Sequence, residues 1–213
     1  MTEGVRIVPA NEVPCVDLLA VFGTRGAAAT CFCQRYKLHR GEAFSTFPAR
    51  ERSARLLEQA RCGDSSATTT SGLVAYADGE AAGWCAVEPR SEYFGLARAY
   101  RVPWDGRDED RTDPDIWSVT CVLVRPGYRR RGIAHVLAQA AVEHARSRGA
   151  RALEAYPMRR EAGEISWDEI HVGAQSVFES AGMREISRPG KRRAVMRVDF
   201  APSTTRTHGD ANP

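Results

Sequence analysis

The stretch that decides the fold reads Val119-Thr-Cys-Val-Leu-Val-Arg-Pro-Gly-Tyr-Arg-Arg-Arg-Gly-Ile-Ala134. Its first half is apolar and rich in β-branched residues, which predicts a strand that ends at Pro126-Gly127, because proline cannot continue a ladder. After this turn, apolar residues recur at three- and four-residue steps from Ile133 to Ala145, and Gly149 stands where a helix C-cap is expected. The sequence therefore predicts a strand, a turn and a helix in direct succession.

The junction between strand and helix has the composition of an anion-binding loop. Gly132 and Ala134 keep side chains out of the way, so the unpaired first-turn N–H groups and the helix dipole favour a phosphate or pyrophosphate. Arg129, Arg130 and Arg131 add long-range attraction for such an anion. The segment is not a P-loop, since the Gly-Lys-Ser/Thr ending is missing, and it contains no G-x-G-x-x-G.

The pattern Arg129-x-x-Gly132-x-Ala134 resembles the acetyl-CoA signature of GNAT-type N-acetyltransferases, Arg/Gln-x-x-Gly-x-Gly/Ala. A second stretch, residues 174–183, resembles the helical motif A-x-x-x-Y-x-x-x-G-F of the same family. The two motifs lie in the expected order and separation, and the resemblance runs from about residue 5 to about residue 200. It implies the GNAT acyl-CoA N-acyltransferase fold, an α/β (α+β) fold with a mixed, mostly antiparallel central sheet flanked by helices.

Length and composition fit an ordinary globular protein. The chain has 213 residues, of which 43% are hydrophobic and 27% charged, enough for one domain with a real core. We expect a single GNAT-like domain over residues 1–200 and a polar, disordered tail over residues 201–213. No apolar run is long enough to span a membrane, and the N-terminus lacks the features of a signal peptide, so we expect a cytoplasmic protein.

Charge and cysteine content narrow the possible functions further. A net charge of +3 is too small to imply nucleic-acid binding, although a binder that uses residues 125–131 and 191–193 remains a third alternative. Without an export signal, the six cysteines are expected to be reduced thiols. Cys31-x-Cys33 has no second close pair and no H-x₃₋₅-H partner, so we expect no metal.

The other segments give a coarse order of elements. A strand is expected at residues 5–8, a helix capped by Asn11 that runs to Phe22, a second helix at residues 49–60 and a hairpin that turns at Asp78-Gly79. Residues 31–37 predict an irregular helix that packs Phe32 and Tyr36 into the core or, alternatively, a substrate-pocket wall. Residues 93–100 fit a helix, residues 105–115 an acidic loop, residues 152–156 a strand and residues 158–163 a charged loop. Residues 172–181 are predicted to form a helix, followed by an antiparallel pair at residues 183–186 and 194–200.

The family resemblance also implies which residues bind the cosubstrate, acetyl-CoA. In the family, free main-chain groups of the signature strand bind the pantetheine arm, and one N–H group points at the acetyl oxygen. The resemblance assigns cosubstrate binding to this strand, to the pyrophosphate-binding loop after it and to one position of the second motif. These residues are Val122, Leu123 and Val124; Arg129, Arg130, Arg131, Gly132, Ile133, Ala134 and His135; and Phe178.

Two departures from the family pattern concern catalysis. Phe178 stands where the family usually carries a tyrosine that protonates the departing thiolate, but a thiol with a pKa near about 8.5 leaves acceptably without full protonation. The signature strand carries no carboxylate, although many relatives place a glutamate base there. Glu154, on the following strand, and Glu88, at the end of the hairpin, are the candidate bases; for each, a glutamate that simply faces solvent is the alternative.

The sequence therefore predicts an acetyl-CoA-dependent N-acetyltransferase that moves the acetyl group directly to a primary amine of a small molecule or a polypeptide. The alternative is a CoA-binding regulatory module that has lost turnover, which Phe178 and the missing strand carboxylate favour. The expected partners are acetyl-CoA and an amine acceptor, without nucleic acid or membrane, and a homodimer is compatible with the family. The acidic residues 105–115 suit a cationic amine or a solvated surface.

Overall fold

A computed structural model describes residues 4–99, 102–159 and 170–201 of the chain. Within these residues, seven strands form one sheet of order β1-β2-β3-β4-β5-β7-β6. The strands are Val5–Pro9 (β1), Gly72–Ala77 (β2), Glu80–Pro89 (β3), Ile116–Val124 (β4), Ala152–Ala155 (β5), Arg184–Ser187 (β6) and Val195–Asp199 (β7). Strands β4 and β5 are parallel, and every other neighbouring pair is antiparallel. The predicted mixed, mostly antiparallel sheet is confirmed.

Helices cover both faces of this sheet. They are Cys15–Phe22 (α1), Ala28–Cys31 (α2), Ala49–Ala60 (α3), Phe94–Ala99 (α4), Ile133–Ser147 (α5) and Gln175–Glu179 (α6). Short 3₁₀ turns lie at Ala10–Glu12, Gln34–Tyr36, Arg90–Glu92, Val102–Trp104, Pro126–Tyr128 and Ile170–Val172. In the described part of the chain, no helix has the length and apolar character needed to cross a membrane.

Two apolar cores lie on opposite faces of the sheet. Leu137 and other apolar residues of α5 pack with Val87 and Val119 on one face, while Phe22 of α1 and Leu56 of α3 pack against the other. Helix α5 approaches β3 closely at Gly83, where an added Cβ would lie 3.0 Å from the Cδ1 atom of Leu137. The small residue therefore lets the first turns of α5 lie directly on the sheet.

Most of the predicted elements are present, with two local differences. The turn at Asp78 and Gly79 has φ angles of 55° and 82°, as the hairpin prediction requires. Asn11, however, does not cap α1; its Nδ2 donates to the carbonyl of Ala67 at 3.1 Å, and Pro14 precedes the helix. The second-motif helix is shorter than predicted, because Gly173 has a φ of 83° and the helix begins only at Gln175.

The expectation that all six cysteines are free thiols is wrong for one pair. Cys15 and Cys62 form a disulfide with Cα atoms 5.0 Å apart, and it joins the start of α1 to the end of α3 across a sequence separation of 47. Cys31, Cys33, Cys85 and Cys121 are free. Parts of three other predictions, at residues 100, 160–163 and 202–213, lie outside the described residues.

Candidate active site

Strand β4 separates from its parallel neighbour partway along its length. The ladder with β5 runs only from Ile116 to Val119, whereas pairing with β3 continues to Val124. At Thr120 the pairing with β3 shifts by one residue, which makes Thr120 a β-bulge. On the side of β4 that faces β5, the main-chain groups of residues 120–124 therefore have no ladder partner in the described part of the chain.

A cavity of about 1030 Å³ opens where the two strands separate. Alternating residues of β4 face opposite sides of the sheet, so that Val122 and Val124 lie towards α5 while Cys121 and Leu123 lie towards α1. All four line the cavity, which therefore wraps around the free edge of β4. The volume is large enough for a cosubstrate and a small acceptor.

The predicted anion loop forms one end of this cavity. Gly132, with a φ of 74°, is the N-cap of α5 and supplies no side-chain cap. Within the described residues, the N–H groups of residues 130–134 donate to no backbone oxygen. A Cβ at Gly132 would meet nothing within 4 Å, so the loop is open to an incoming group. Free N–H groups at a helix N-terminus fit the diphosphate of CoA.

Most side chains of the loop line the cavity. Arg129, Arg130, Ile133, Ala134 and His135 line the cavity together with Gly132. His135 is held by a hydrogen bond of 2.7 Å between its Nδ1 and the Oγ of Ser180.

Two of the predicted cofactor-binding residues do not line the cavity. Arg131 points to the β2–β3 turn, where its Nη1 lies 2.8 Å from Asp78 Oδ2, because the carboxylate there offers a partner. Phe178 is fully buried in the core against Gly173, where a Cβ would lie 2.6 Å from the Phe178 ring. The Arg131 side chain therefore supports the loop from outside the cavity, and Phe178 packs behind the site; the Arg131 N–H group remains in the loop, and both assignments stay predictions.

Glu154 is fully buried and surrounded by cations. Its carboxylate accepts hydrogen bonds from Arg107, from Arg197 at 2.9 Å and from Arg90 at 3.4 Å, and Tyr156 donates to it at 3.0 Å. Burial acts to raise the pKa of Glu154, but Arg107 and the other arginines outweigh it and lower the pKa. Because every oxygen is occupied and the proton affinity is reduced, Glu154 is poorly suited to accept a proton, and it does not line the cavity.

Glu88 is buried with a single cation beside it. It forms an ion pair with the buried ammonium of Lys37, which also lies 5.3 Å from the centre of the Tyr93 ring. Burial raises the pKa of Glu88 in spite of Lys37. Burial and the nearby Glu88 raise the pKa of Tyr93 well above its usual range, while an interaction with Thr120 opposes them.

Glu88 itself does not line the cavity, but Thr120 does. The hydroxyl groups of Tyr93 and Thr120 are buried without a hydrogen bond of regular geometry among the described residues. Because both Glu88 and Thr120 influence the pKa of Tyr93, these three buried groups lie near one another beside the cavity wall.

The cavity wall beside α1 and α2 includes residues of the segment 31–37, for which the sequence left two interpretations open. Phe32 and Tyr36 are buried, as the core interpretation predicts, while Cys31, Arg35 and Tyr36 line the cavity, as the pocket-wall interpretation predicts. Arg25 also lines the cavity, and no motif in the sequence pointed to it. Phe32 and Cys33 have left-handed conformations, with φ angles of 46° and 55°, between α2 and the 3₁₀ turn Gln34–Tyr36.

No metal centre is apparent in the part of the chain that the structure describes. Histidine, cysteine, aspartate and glutamate side chains form no group of three or more that could hold an ion within residues 4–99, 102–159 and 170–201. The free thiol of Cys33 instead accepts a hydrogen bond from Trp84 Nε1 at 3.2 Å.

Comparison with solved structures finds the same fold bound to the predicted cosubstrate. The PaiA N-acetyltransferase from Thermoplasma acidophilum, in complex with coenzyme A, is 15% identical, with 92% of this chain and 99% of that chain covered and a TM-score of 0.51. The yncA protein from Salmonella typhimurium, with acetyl-CoA, is also 15% identical, with 95% and 99% covered and a TM-score of 0.50. A search of curated sequences finds no match.

A family model also matches the chain itself. It is described as the acetyltransferase (GNAT) family, and it covers residues 35–162, more than half of the sequence. The matched segment includes the free edge of β4, the anion loop and α5, which form a large part of the cavity lining. On this evidence the chain belongs to the acetyltransferase (GNAT) family.

Proposed function

We propose that this protein transfers the acetyl group of acetyl-CoA directly to a primary amine of a small molecule or a polypeptide. The observation that carries the proposal is the cavity at the free edge of β4. There, the unpartnered main chain of residues 120–124 and the free N–H groups of residues 130–134 face the same space.

The residues of this chain have separate binding roles in the proposal. Acetyl-CoA supplies the acetyl group as an activated thioester. The N–H groups of residues 130–134 bind its diphosphate, and the guanidinium groups of Arg129 and Arg130 neutralise it. The compact side chains of Val122 and Val124 leave the β4 backbone accessible, so that a main-chain N–H group can donate to the acetyl oxygen as negative charge develops there.

Glu88 is the better of the two candidate bases for the acceptor amine. A raised pKa brings a carboxylate closer to the pH at which general bases work, and Glu88 has a raised pKa while Glu154 has a lowered one. In the proposal, the amine proton passes from the cavity wall at Thr120, past Tyr93, to Glu88. Lys37 acts as a positioning residue, because its ion pair fixes the carboxylate.

No side-chain acid is assigned to the departing thiolate. Phe178 cannot donate a proton, and Tyr156 donates to Glu154 and does not line the cavity. A thiol with a pKa of about 8.5 leaves without full protonation, so solvent is sufficient for this step.

The second candidate is a CoA-binding module without turnover. One observation favours it: no aspartate or glutamate lines the cavity in the described part of the chain, so proton removal depends on an indirect path. The two functions differ in whether CoA is released when an amine is added.

The test measures CoA formation from acetyl-CoA with a panel of amines by chromatography, since the free cysteines of the protein would react with thiol reagents. We expect amine-dependent CoA release, and we expect Glu88→Gln to lower kcat by about 10²-fold or more without weakening acetyl-CoA binding. Glu12→Gln, at an exposed carboxylate outside the cavity, serves as the control. Binding of acetyl-CoA without release for any amine would instead support the module, and an unchanged kcat in Glu88→Gln would remove Glu88 as the base.

A further inference from the structure

Two arginines on the cavity wall have no role in the proposed binding of acetyl-CoA. Arg25 lies in the loop between α1 and α2, and Arg35 lies in the 3₁₀ turn Gln34–Tyr36. They line the cavity from the α1 side of the sheet, whereas Arg129 and Arg130 line it next to α5. Within the described residues, neither Arg25 nor Arg35 forms an ion pair with a carboxylate.

Arg35 is held in place by an aromatic ring. Its guanidinium carbon lies 4.6 Å from the centre of the Phe44 ring, and the guanidinium carbon of Arg52 lies 4.0 Å from the same centre. Arg52 also donates to the Phe44 carbonyl at 2.8 Å, which fixes the backbone of Phe44. Stacking uses the face of a guanidinium and leaves its N–H edge available to a ligand.

The acidic residue nearest in sequence to Phe44 is already used elsewhere. Glu42 accepts two hydrogen bonds from Arg55, at 2.9 Å and 2.6 Å, and this pairing lowers the pKa of Glu42 to about 2. Together with the lack of lining carboxylates among the described residues, this arrangement leaves the charges of Arg25 and Arg35 unbalanced at the cavity.

The acidic loop of residues 105–115, whose composition suits a cationic amine, is partly neutralised by arginines. Glu109 pairs with Arg90 at 3.2 Å and with Arg107, and Asp113 pairs with Arg151. None of residues 105–115 lines the cavity. This loop therefore offers little attraction to a positively charged acceptor.

We infer that the acetyl acceptor is a small primary amine that also carries a negatively charged group, as a free amino acid carries its carboxylate. This inference rests on the proposed function and names its substrate class. Arg35, with Arg25, binds the anionic group through charge-assisted hydrogen bonds, so that the amine lies towards β4. A diamine would bring a second positive charge against these arginines, which disfavours its binding.

The test compares amines that differ mainly in charge. The proteinogenic amino acids, their α-amides, and the diamines putrescine and cadaverine are each assayed for CoA release at fixed acetyl-CoA. We expect the amino acid to exceed its amide in kcat/KM, although the amine of the amide is the more readily deprotonated. Arg35→Gln should lower kcat/KM for the amino acid about tenfold or more and leave that of the amide almost unchanged. Arg50→Gln, at an exposed position of α3 outside the cavity, controls for loss of charge.

A binding measurement separates failure of this inference from failure of the proposed function. The same compounds are titrated calorimetrically into the protein saturated with CoA, which requires no turnover. Tighter binding of the amino acid than of its amide, lost in Arg35→Gln, supports the inference even if no amine is acetylated. Equal binding of acid and amide, or a preference for the diamines in either assay, overturns it, and amine-dependent CoA release would then leave the proposed function intact.

Discussion

Glu88 and Glu154 show how the surroundings of a single residue decide its chemistry. Both carboxylates are buried, but Glu154 meets three arginines whereas Glu88 meets one lysine. Burial alone raises the pKa of a carboxyl group, and only a sufficient number of cations reverses that shift. We therefore propose Glu154 as a structural anion and Glu88, whose pKa is raised, as the carboxylate suited to acid/base work.

We predict that Glu154→Gln destabilises the protein without a specific effect on catalysis. The change removes the buried one of the two carboxylates that Arg90, Arg107 and Arg197 share, Glu109 being the other, which should cost on the order of 3 kcal/mol. Urea unfolding measures the loss, and kcat per folded molecule should stay close to that of the parent protein. A large fall in kcat with unchanged stability would return Glu154 to the candidate bases.

His144 should make the stability depend on pH. Burial, followed by the charge of Arg148, lowers the pKa of His144 from 6.5 to about 4, and the ring packs edge-on against Trp117 at 5.6 Å. Because the folded-state pKa is depressed, this contribution is complete above pH 6.5 and is lost as the pH falls towards about 4.

The expected loss is on the order of 2 kcal/mol, since the partly exposed ring does not feel the full shift. Urea unfolding across this pH range measures it, and His144→Gln should flatten the dependence. A parallel decline in both proteins would assign the effect to other groups.

At the scale of the element, the proposed anion site depends mainly on the backbone at the start of α5, to which the side chains of Arg129 and Arg130 add charge. The site consists of first-turn backbone N–H groups that have no hydrogen-bond acceptor within the helix. The N-cap residue of this helix, Gly132, has a positive φ. The remaining side chains support this backbone, as the ion pair of Arg131 with Asp78 shows.

We predict that Gly132→Glu abolishes the thermal stabilisation by acetyl-CoA. A ligand at about 100 times its dissociation constant adds about 2.7 kcal/mol, which shifts the melting temperature by several degrees in a domain of this size. The added carboxylate should occupy the cradle and repel the phosphates. Gly149→Glu is the matched control, because Gly149 at the other end of α5 has a similar φ of 79° and equally open space. Loss of the shift in both variants would point to backbone strain and not to the site.

At the scale of the whole molecule, a disulfide cross-links the face of the sheet that α1 and α3 cover. The disulfide between Cys15 and Cys62 joins two helices that contribute to the same core. Cross-linking a separation of 47 residues removes entropy from the unfolded chain worth about 4 kcal/mol in the loop-closure model.

We therefore predict that dithiothreitol lowers the melting temperature by several degrees. The Cys15→Ala variant should already melt at the lower temperature and should not respond to the reductant. An equal response in Cys15→Ala would assign the effect to the remaining thiols.

Much of the fold followed from local patterns. The Asp78-Gly79 turn, the strand that ends before Pro126 and the amphipathic period of α5 each reflect conformational preferences that act over a few residues. The start of the second-motif helix was less predictable, since Gly173 has a positive φ and the Phe178 ring leaves no room there for a Cβ. The start of α1 was likewise misplaced, because Asn11 has partners more than fifty residues away.

By itself the sequence determined the order of elements, the anion loop and the family, because these depend on neighbouring residues and on backbone N–H groups. Tertiary structure alone decided the pairing of Lys37 with Glu88, the arginine shell of Glu154, the disulfide and the arginines of the cavity wall. Each of these contacts joins residues far apart along the chain. Their energies depend on burial and on charge partners, and neither quantity is set until the sheet and its helices have packed.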